Sequence, residues 1–420
     1  MELTNKSKFN LHSFFNSLFT YIIAVIMVIN CNSIYSKSIY ANTISKVSMV
    51  TLLGSIVILS YLNRNSNIDW DIYIVLTILL SLYVFIYVLI QRNRAAFSVG
   101  INDLVKFILM FSLAYLVYKN TKSPLIIEAY CNVVVVIAAV SLFFWILGSN
   151  MHVLQSTGVF LSKWNQFDNY QPVPSYHNLY FETQVLDQNI RNSAIFAEAP
   201  MASLSFTIAF CLEVLYQKKS KFYILKYVVL AFAIISTISS TGYICLILVI
   251  GYQFLTKKSF EKYSMVIKAI IVPAILLIGI VLIHYFLAQK LNSNSGFSRS
   301  RDYMNSFKAW INYPFIGTGI DIDGNFILQN GIAIGKFGYS NSLGKVLGEN
   351  GIYIFILYLL SIFRSFYASL VNKDIRRFFL TIILLYLFIT TQFVNTYIVL
   401  FLFSLLFVWN PYNDNSKVIN

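Results

Sequence analysis

Charge is scarce in this chain. Lys, Arg, Asp and Glu make up 11% of its 420 residues, while 58% are hydrophobic and 17% aromatic. A soluble domain carries about a quarter charged residues, so a water-soluble globular protein is excluded. Cysteine is scarce too. Cys31, Cys131, Cys211 and Cys245 are scattered, each in or at the end of an apolar run. Such spacing gives neither a disulfide framework nor a zinc site. A Gly-rich phosphate loop is missing, so no nucleotide site is expected. Neither a repeat of fixed period nor inverted halves occur, which weighs against transporter folds built from repeats. The first apolar run lacks a small-residue cleavage site after it and reads as an uncleaved span. The net charge of +14 requires no nucleic-acid partner, because basic residues beside membrane spans meet anionic headgroups.

What is present in abundance is long apolar runs, such as 133–147, 228–238 and 269–286. A span needs roughly twenty residues to cross about 30 Å of hydrocarbon. Spans are expected near 18–35, 47–62, 72–90, 104–118, 125–147, 200–216, 227–240, 242–255, 269–287, 351–370, 378–390 and 393–409. The fold class is an all-α polytopic membrane protein of about twelve helices, with residues 1–420 forming one integral membrane domain. Basic residues orient it. Lys218, Lys219, Lys221 and Lys226, then Lys257, Lys258, Lys262 and Lys268, then Arg364, Lys373, Arg376 and Arg377 mark three cytoplasmic connections. Lys6, Lys8, Lys119 and Lys122 agree, placing both termini in the cytoplasm. Lys37 with Lys46, and Arg92 with Arg94, fall outside and break the rule. Two long connections, 148–199 and 288–350, then face outward, the second expected to contain short amphipathic helices.

The first long loop holds Trp164, Tyr170, Pro172, Pro174, Tyr176, His177 and Tyr180, with Asp168, Asn169 and Gln171 among them. These side chains suit either sugar stacking or an aromatic belt at the membrane surface. The loop ends on Arg191 and then Glu198, two residues before Pro200. Proline suits the first turn of a helix, so Glu198 is placed at the positive end of the sixth span. The helix dipole stabilises a carboxylate there; a base or sugar-hydroxyl acceptor facing a cavity is the functional alternative.

In the second loop, Tyr303, Met304, Phe307, Trp310 and Ile311 fall at helical spacing on one face. Ser300 is placed as the cap, Asp302 in the first turn, and Pro314 after the end. Arg299 and Arg301 would then lie at the start of a helix on the outer leaflet. Guanidiniums there can receive a lipid-linked phosphate or diphosphate, or can snorkel to headgroups. Gly317-Thr318-Gly319 permits a tight turn or a close approach. The Asp321–Asn325 stretch reads as a polar turn. Asn341 is placed as the cap of a short helix with Leu343, Val346 and Leu347 inward, and Glu349-Asn350-Gly351 breaks into the tenth span. His284 reads as an interior histidine of the ninth span, and Ser239–Gly242 as a close-packed junction.

The order of these motifs resembles the O-antigen polymerase and ligase superfamily of bacterial envelopes. The resemblance covers roughly 190–360: Arg191 through Glu198 to Pro200, Ser239–Gly242, Arg301 with Pro314 and Gly317 to Gly319, and Asn341-Ser342 to Gly351. Ligases of that superfamily show a histidine near the Asn341 position. Here the neighbours are Tyr339 and Ser340, and 288–350 contains no histidine, which favours a polymerase. The resemblance implies a glycosyltransferase of the bacterial cytoplasmic (inner) membrane. It would join undecaprenyl-diphosphate-linked repeat units into lipopolysaccharide O-antigen or capsule at the outer face. Arg191, Arg299 and Arg301 would bind the diphosphate, with Arg301 also catalytic, and Glu198 or Glu349 would act on the acceptor hydroxyl. The implied partners are the lipid-linked glycan, membrane lipids and a chain-length regulator protein. No cofactor, metal or nucleic acid is implied. A ligase, and a flippase of lipid-linked sugars, are the alternatives.

Overall fold

A computed structural model of the chain describes residues 11–63, 69–119, 125–163, 170–186, 189–216, 222–255, 294–320, 325–328, 332–336 and 339–408. It is mostly helical. The first five helices are α1 (Leu11–Ile29), α2 (Ala41–Leu62), α3 (Trp70–Ile90), α4 (Phe97–Ser112, prolonged by a wider turn to Lys119) and α5 (Leu125–Phe144, prolonged to Asn150). They are followed by α6 (Ala199–Tyr216), α7 (Tyr223–Ser236), α8 (Ser240–Leu255) and α9 (Asn294–Asn312). The chain continues through α10 (Ser342–Lys345, prolonged to Asn350), α11 (Gly351–Val371), α12 (Ile375–Thr390) and α13 (Tyr397–Val408). Among the described residues, seven helices, α1 to α6 and α10 running into α11, are long and apolar enough to cross a membrane. The expected span at 269–287, with His284 and Lys257 to Lys268, lies outside the described residues.

The helices differ in what surrounds them. Ile72, Ile74, Val75, Ile78, Leu79 and Leu82 of α3 are all exposed. A helix apolar all round with its aliphatic groups outward is suited to lipid. By contrast, α6 is buried along nearly its whole length, from Ala199 to Leu215. Its small side chains permit this. A Cβ added at Gly242 of α8 would collide with the Ser203 hydroxyl, so the Ser239–Gly242 junction serves close packing.

The mostly helical architecture is as expected, and two of the longest connections add short strands to it. In 148–199, β1 (Gly158–Ser162), β2 (Gln171–Tyr176) and β3 (Tyr180–Phe181) form an antiparallel sheet in that order, and β4 (Val185–Leu186) pairs with β5 (Asn189–Ile190). In 288–350, β6 (Asn325–Leu328) pairs with β7 (Ile332–Lys336). Pro172 and Pro174 hide β2 from sequence reading, since proline removes a ladder donor. The Pro174 carbonyl accepts from Glu182 N, so its nitrogen also faces away from β1, where β2 needs no donor. Trp164, Asp168 and Asn169 lie outside the described residues. Tyr176 and Tyr180 are buried: Tyr176 and Ser149 donate to the Glu182 carboxylate at 2.9 Å and 2.7 Å, and the Tyr180 hydroxyl pairs with Ser149 Oγ at 3.0 Å. They clamp the sheet to the end of α5 and are withdrawn from sugar stacking.

Two further expectations change. The fourth span starts at Phe97 instead of 104, so Asp103 joins Lys106 within it. Glu213 paired to Lys226 at 3.1 Å and the fully buried Arg377 also place charge among the apolar helices. Second, α9 already runs from Asn294. Ser300 therefore sits inside the helix, not at its cap, and Arg299 and Arg301 are not first-turn residues. Met304, Phe307 and Ile311 are exposed, while Ser306 and Ala309 face the body. The cap at Asn341 is as expected, its side chain accepting from Gly344 N.

One face of the bundle gathers the connections after α1, α3, α5, α7 and α12 together with α9 and α10. Ile34 N donates to Ile195 O, Asn192 N to Ser236 O and Ser342 N to Thr391 O, while Asn93 Nδ2 donates to Ile320 O. On this face the stretch 314–319 is strapped to the entrance of α11. Thr318 N donates to Gly348 O, Gly319 N to Glu349 O, Ile352 N to Pro314 O and Tyr353 N to Phe315 O, at 2.9–3.0 Å. Glycine is required twice at the crossing. Gly351 has φ 64 and ψ −164, a conformation almost closed to other residues, and an added Cβ would meet the Phe315 carbonyl. Gly317, at φ 66, faces the backbone of Glu349 in the same way. Gly351→Ala is expected to cost about 1–3 kcal/mol from backbone strain alone, read as a lower unfolding midpoint of the purified protein in detergent.

Candidate functional site

The segment from Arg191 to Ala199 is built to lie across helix ends. Asn192 is fully buried; its Nδ2 donates to Ser141 Oγ of α5 at 3.1 Å and Ser236 Oγ of α7 at 2.9 Å. Ser193 Oγ donates to Phe181 O, and Ala197 N to Asn32 O. These bonds fix the two charged residues at either end. The Glu198 backbone carbonyl accepts from Met201 and Ala202, so Glu198 is the residue that starts α6. Gln184 Oε1 joins the two ends, taking Ala199 N at 3.2 Å and an Arg191 Nη1 proton at 3.3 Å.

Arg191 also donates from Nε to Thr237 O at 2.8 Å and from Nη2 to Ile238 O at 3.2 Å. It thus meets the carbonyls that follow α7. Arg299 does the same at another helix, donating to Thr390 O of α12 at 3.1 Å. Cations are favoured at such C-terminal ends. The two arginines therefore anchor helix ends and face Glu198 together.

Glu198 has three cationic neighbours. Burial raises its pKa above the ordinary 4.5, and Arg299, Arg191 and Lys37, in that order, oppose the rise. Burial likewise disfavours the charge of Arg191, which Glu198 favours and Arg299 opposes. Lys37 is pushed down by burial and by Lys345, and lifted by Glu198. Among the described residues, three positive groups thus act on one carboxylate in a half-buried site, a charge balance suited to an anionic ligand.

The remaining expected residues fall elsewhere. Arg301 is exposed, with the Asp302 carboxylate as an ionic neighbour. Two residues on a helix are separated by about 200°, so Arg299 and Arg301 point to different sides of α9. Glu349 is buried in the wide turn before α11, with Lys345 Nζ at 4.0 Å and the Tyr87 hydroxyl on its backbone carbonyl. It lines a cleft between α3, α4, α11 and α13, which also takes in Asp103, Lys345 and Asn395. The structure thus brings Arg191, Glu198 and Arg299 together, and places Glu349 and Arg301 apart from that group.

Sequence reading missed Lys37, Asp103, Lys106 and Lys345. A signal for Lys37 was present in the sequence, where it stands out as an exception to the charge pattern. Asp103 accepts from Lys106 at 3.1 Å and from Asn395 Nδ2 at 2.6 Å, tying α4 to the connection before α13. A double-mutant cycle on Asp103→Ala and Lys106→Ala is expected to give a coupling of about 0.5–3 kcal/mol, measured by thermal unfolding in detergent. No family model and no curated protein sequence matches the chain.

Proposed function

We propose that this protein is a membrane glycosyltransferase that polymerises oligosaccharide units carried on a lipid diphosphate. The carrying observation is the cluster of Lys37, Arg191 and Arg299 about Glu198, on the face where the long connections meet. In this reading the seven long apolar helices, the shorter α7, α8, α12 and α13, and the run at 269–287 cross the membrane. Both termini lie in the cytoplasm and the clustered face lies outside.

The chemistry follows from the groups. The bond that breaks joins the first sugar of the donor to its diphosphate. Negative charge accumulates on the leaving phosphate, and Arg191, Arg299 and Lys37 neutralise it without reorganising at the moment of reaction. The acceptor is a hydroxyl of a second lipid-linked unit. Glu198 takes its proton as the new glycosidic bond forms. Glu349 has a different part, at the mouth of the neighbouring cleft. A chain-length regulator protein is the partner proposed for product size.

Transport of lipid-linked sugar gains from one observation, the Asp103–Lys106 pair inside α4, because ionisable groups at membrane depth accompany translocation paths. Gene deletion with sizing of the surface glycan separates the readings. A core carrying one repeat is expected for a polymerase. Full-length polymer accumulating on its lipid carrier identifies a ligase, and single units trapped on the cytoplasmic leaflet identify a transporter.

A further inference from the structure

The cleft between α3, α4, α11 and α13 has the shape of a slot for a chain. At its mouth stand Asp103, Lys345, Glu349, Asn350 and Asn395; below them its walls are Val84, Phe107, Ile354, Leu357 and Phe403. Phe111, Leu360 and Phe407 mark its far end. From Asn350 to Ser361 the α11 backbone advances about 16 Å, roughly half of the 30 Å hydrocarbon layer. The slot is therefore about one leaflet deep. Leu360 lines it and is 49% exposed, so the slot opens sideways toward lipid.

Its mouth belongs to the same face as the cationic cluster. Lys345 lies at the mouth and acts electrostatically on Lys37, which acts on Glu198. Charges at the mouth are balanced: Asp103 has Lys106, and Glu349 has Lys345. An apolar trench of leaflet depth and an adjacent cationic cluster fit one kind of occupant. It is an amphiphile with a long hydrocarbon chain and an anionic head.

We infer that the slot holds the polyprenyl chain of the lipid-diphosphate donor, delivering its diphosphate to Lys37, Arg191 and Arg299. This rests on the proposed function. It assigns Lys345 as the residue that bridges chain site and phosphate site, and it explains why α3 and α4, remote in sequence from the loops, pack at the site.

The test uses full-length protein in nanodiscs of phosphatidylcholine and phosphatidylglycerol, with a benzophenone-bearing undecaprenyl phosphate as probe. Crosslinked peptides should map to 80–88, 100–111 and 354–361. Ser361→Phe and Ser404→Phe fill the slot, and Leu360→Trp obstructs its side opening from an exposed position that leaves folding intact. Each should lower labelling on the order of tenfold, since excluding two or three buried methylenes suffices. Labelling instead of a second apolar groove, lined by Ile22 and Val25 of α1 and Ile44 and Val47 of α2, equal competition by added phosphatidylglycerol, or undiminished labelling of the folded Leu360→Trp protein would overturn the assignment. Slot labelling in a protein whose gene deletion leaves glycan length unchanged would retain the slot and sink the polymerase reading.

Discussion

Glu198→Gln is expected to lower polymer formation by about 10²–10⁴-fold, the range supplied by a positioned base, at normal protein level in the membrane. The substitution is mild for the fold, because the bonds that start α6 go to the Glu198 backbone carbonyl, not to its side chain. It also leaves Arg191, Arg299 and Lys37 without their carboxylate. A phosphate ligand should then bind at least as tightly while turnover collapses, so kcat and KM separate. The pH profile gives a second reading. Burial raises the Glu198 pKa from its ordinary 4.5, and a base works only when deprotonated. The rate should therefore rise with pH along an acid limb displaced above the ordinary carboxylate range, and Gln should abolish that limb. Stability carries the opposite sign. A carboxyl whose folded pKa is raised stabilises the fold below its ordinary value, and that contribution is lost as pH rises through the raised one. An unchanged rate in Glu198→Gln, measured by polymer length in reconstituted membranes, would remove Glu198 from the reaction.

Arg191 and Arg299 should each cost about 10²–10³-fold in rate when replaced by Ala, the loss typical of one preorganised donor to a developing charge. Lysine separates the two. Arg191 spreads three contacts over Thr237 O, Ile238 O and Gln184 Oε1. Lysine cannot reproduce a rigid fork, so Arg191→Lys should behave nearly as Arg191→Ala. The Arg299 contact to Thr390 O is a single bond that an ammonium can make, so Arg299→Lys should recover most of the rate. If both lysine variants are fully active, neither guanidinium geometry matters and the site works by charge alone. If Arg191→Ala merely reduces protein level, with activity per molecule unchanged, its place is that of a clamp on α7. Arg301→Ala should have the smallest effect of the three, because Arg301 points to another side of α9.

The apolar helices were legible because lipid solvation writes itself into long runs, and boundaries such as 125, 200, 351 and 390 fall within a few residues of α5, α6, α11 and α12. The failures are local and physical. A start at 104 trims α4 where Asp103 interrupts the apolar run, yet Asp103 is tolerated there by Lys106 and Asn395, partners that no single-chain window can see. Helical periodicity located α9 but not its rotation about its own axis, so it could not tell that Arg299 reaches Thr390 O while Arg301 lies on another side. Rotation is set by Ser306 meeting Gly344, a contact between segments far apart in sequence. The segment from Arg191 to Glu198 was readable as a pair of charges. Its intervening Asn192 and Ser193, which hold that pair in place, carry no signature outside the assembled fold.

The strap between 314–319 and 348–353 has a consequence for which substitutions this part of the chain tolerates. Its four main-chain bonds are joined by one side-chain bond, from Thr318 Oγ1 to Gly348 O at 3.1 Å, and sterically the crossing demands the missing side chains of Gly317 and Gly351. The entrance of α11, and Glu349 with it, is therefore positioned independently of what the β6–β7 hairpin carries. Substitutions in 314–319 other than at its glycines should therefore leave the entrance of α11 in place, whereas any side chain at Gly317 or Gly351 should displace it.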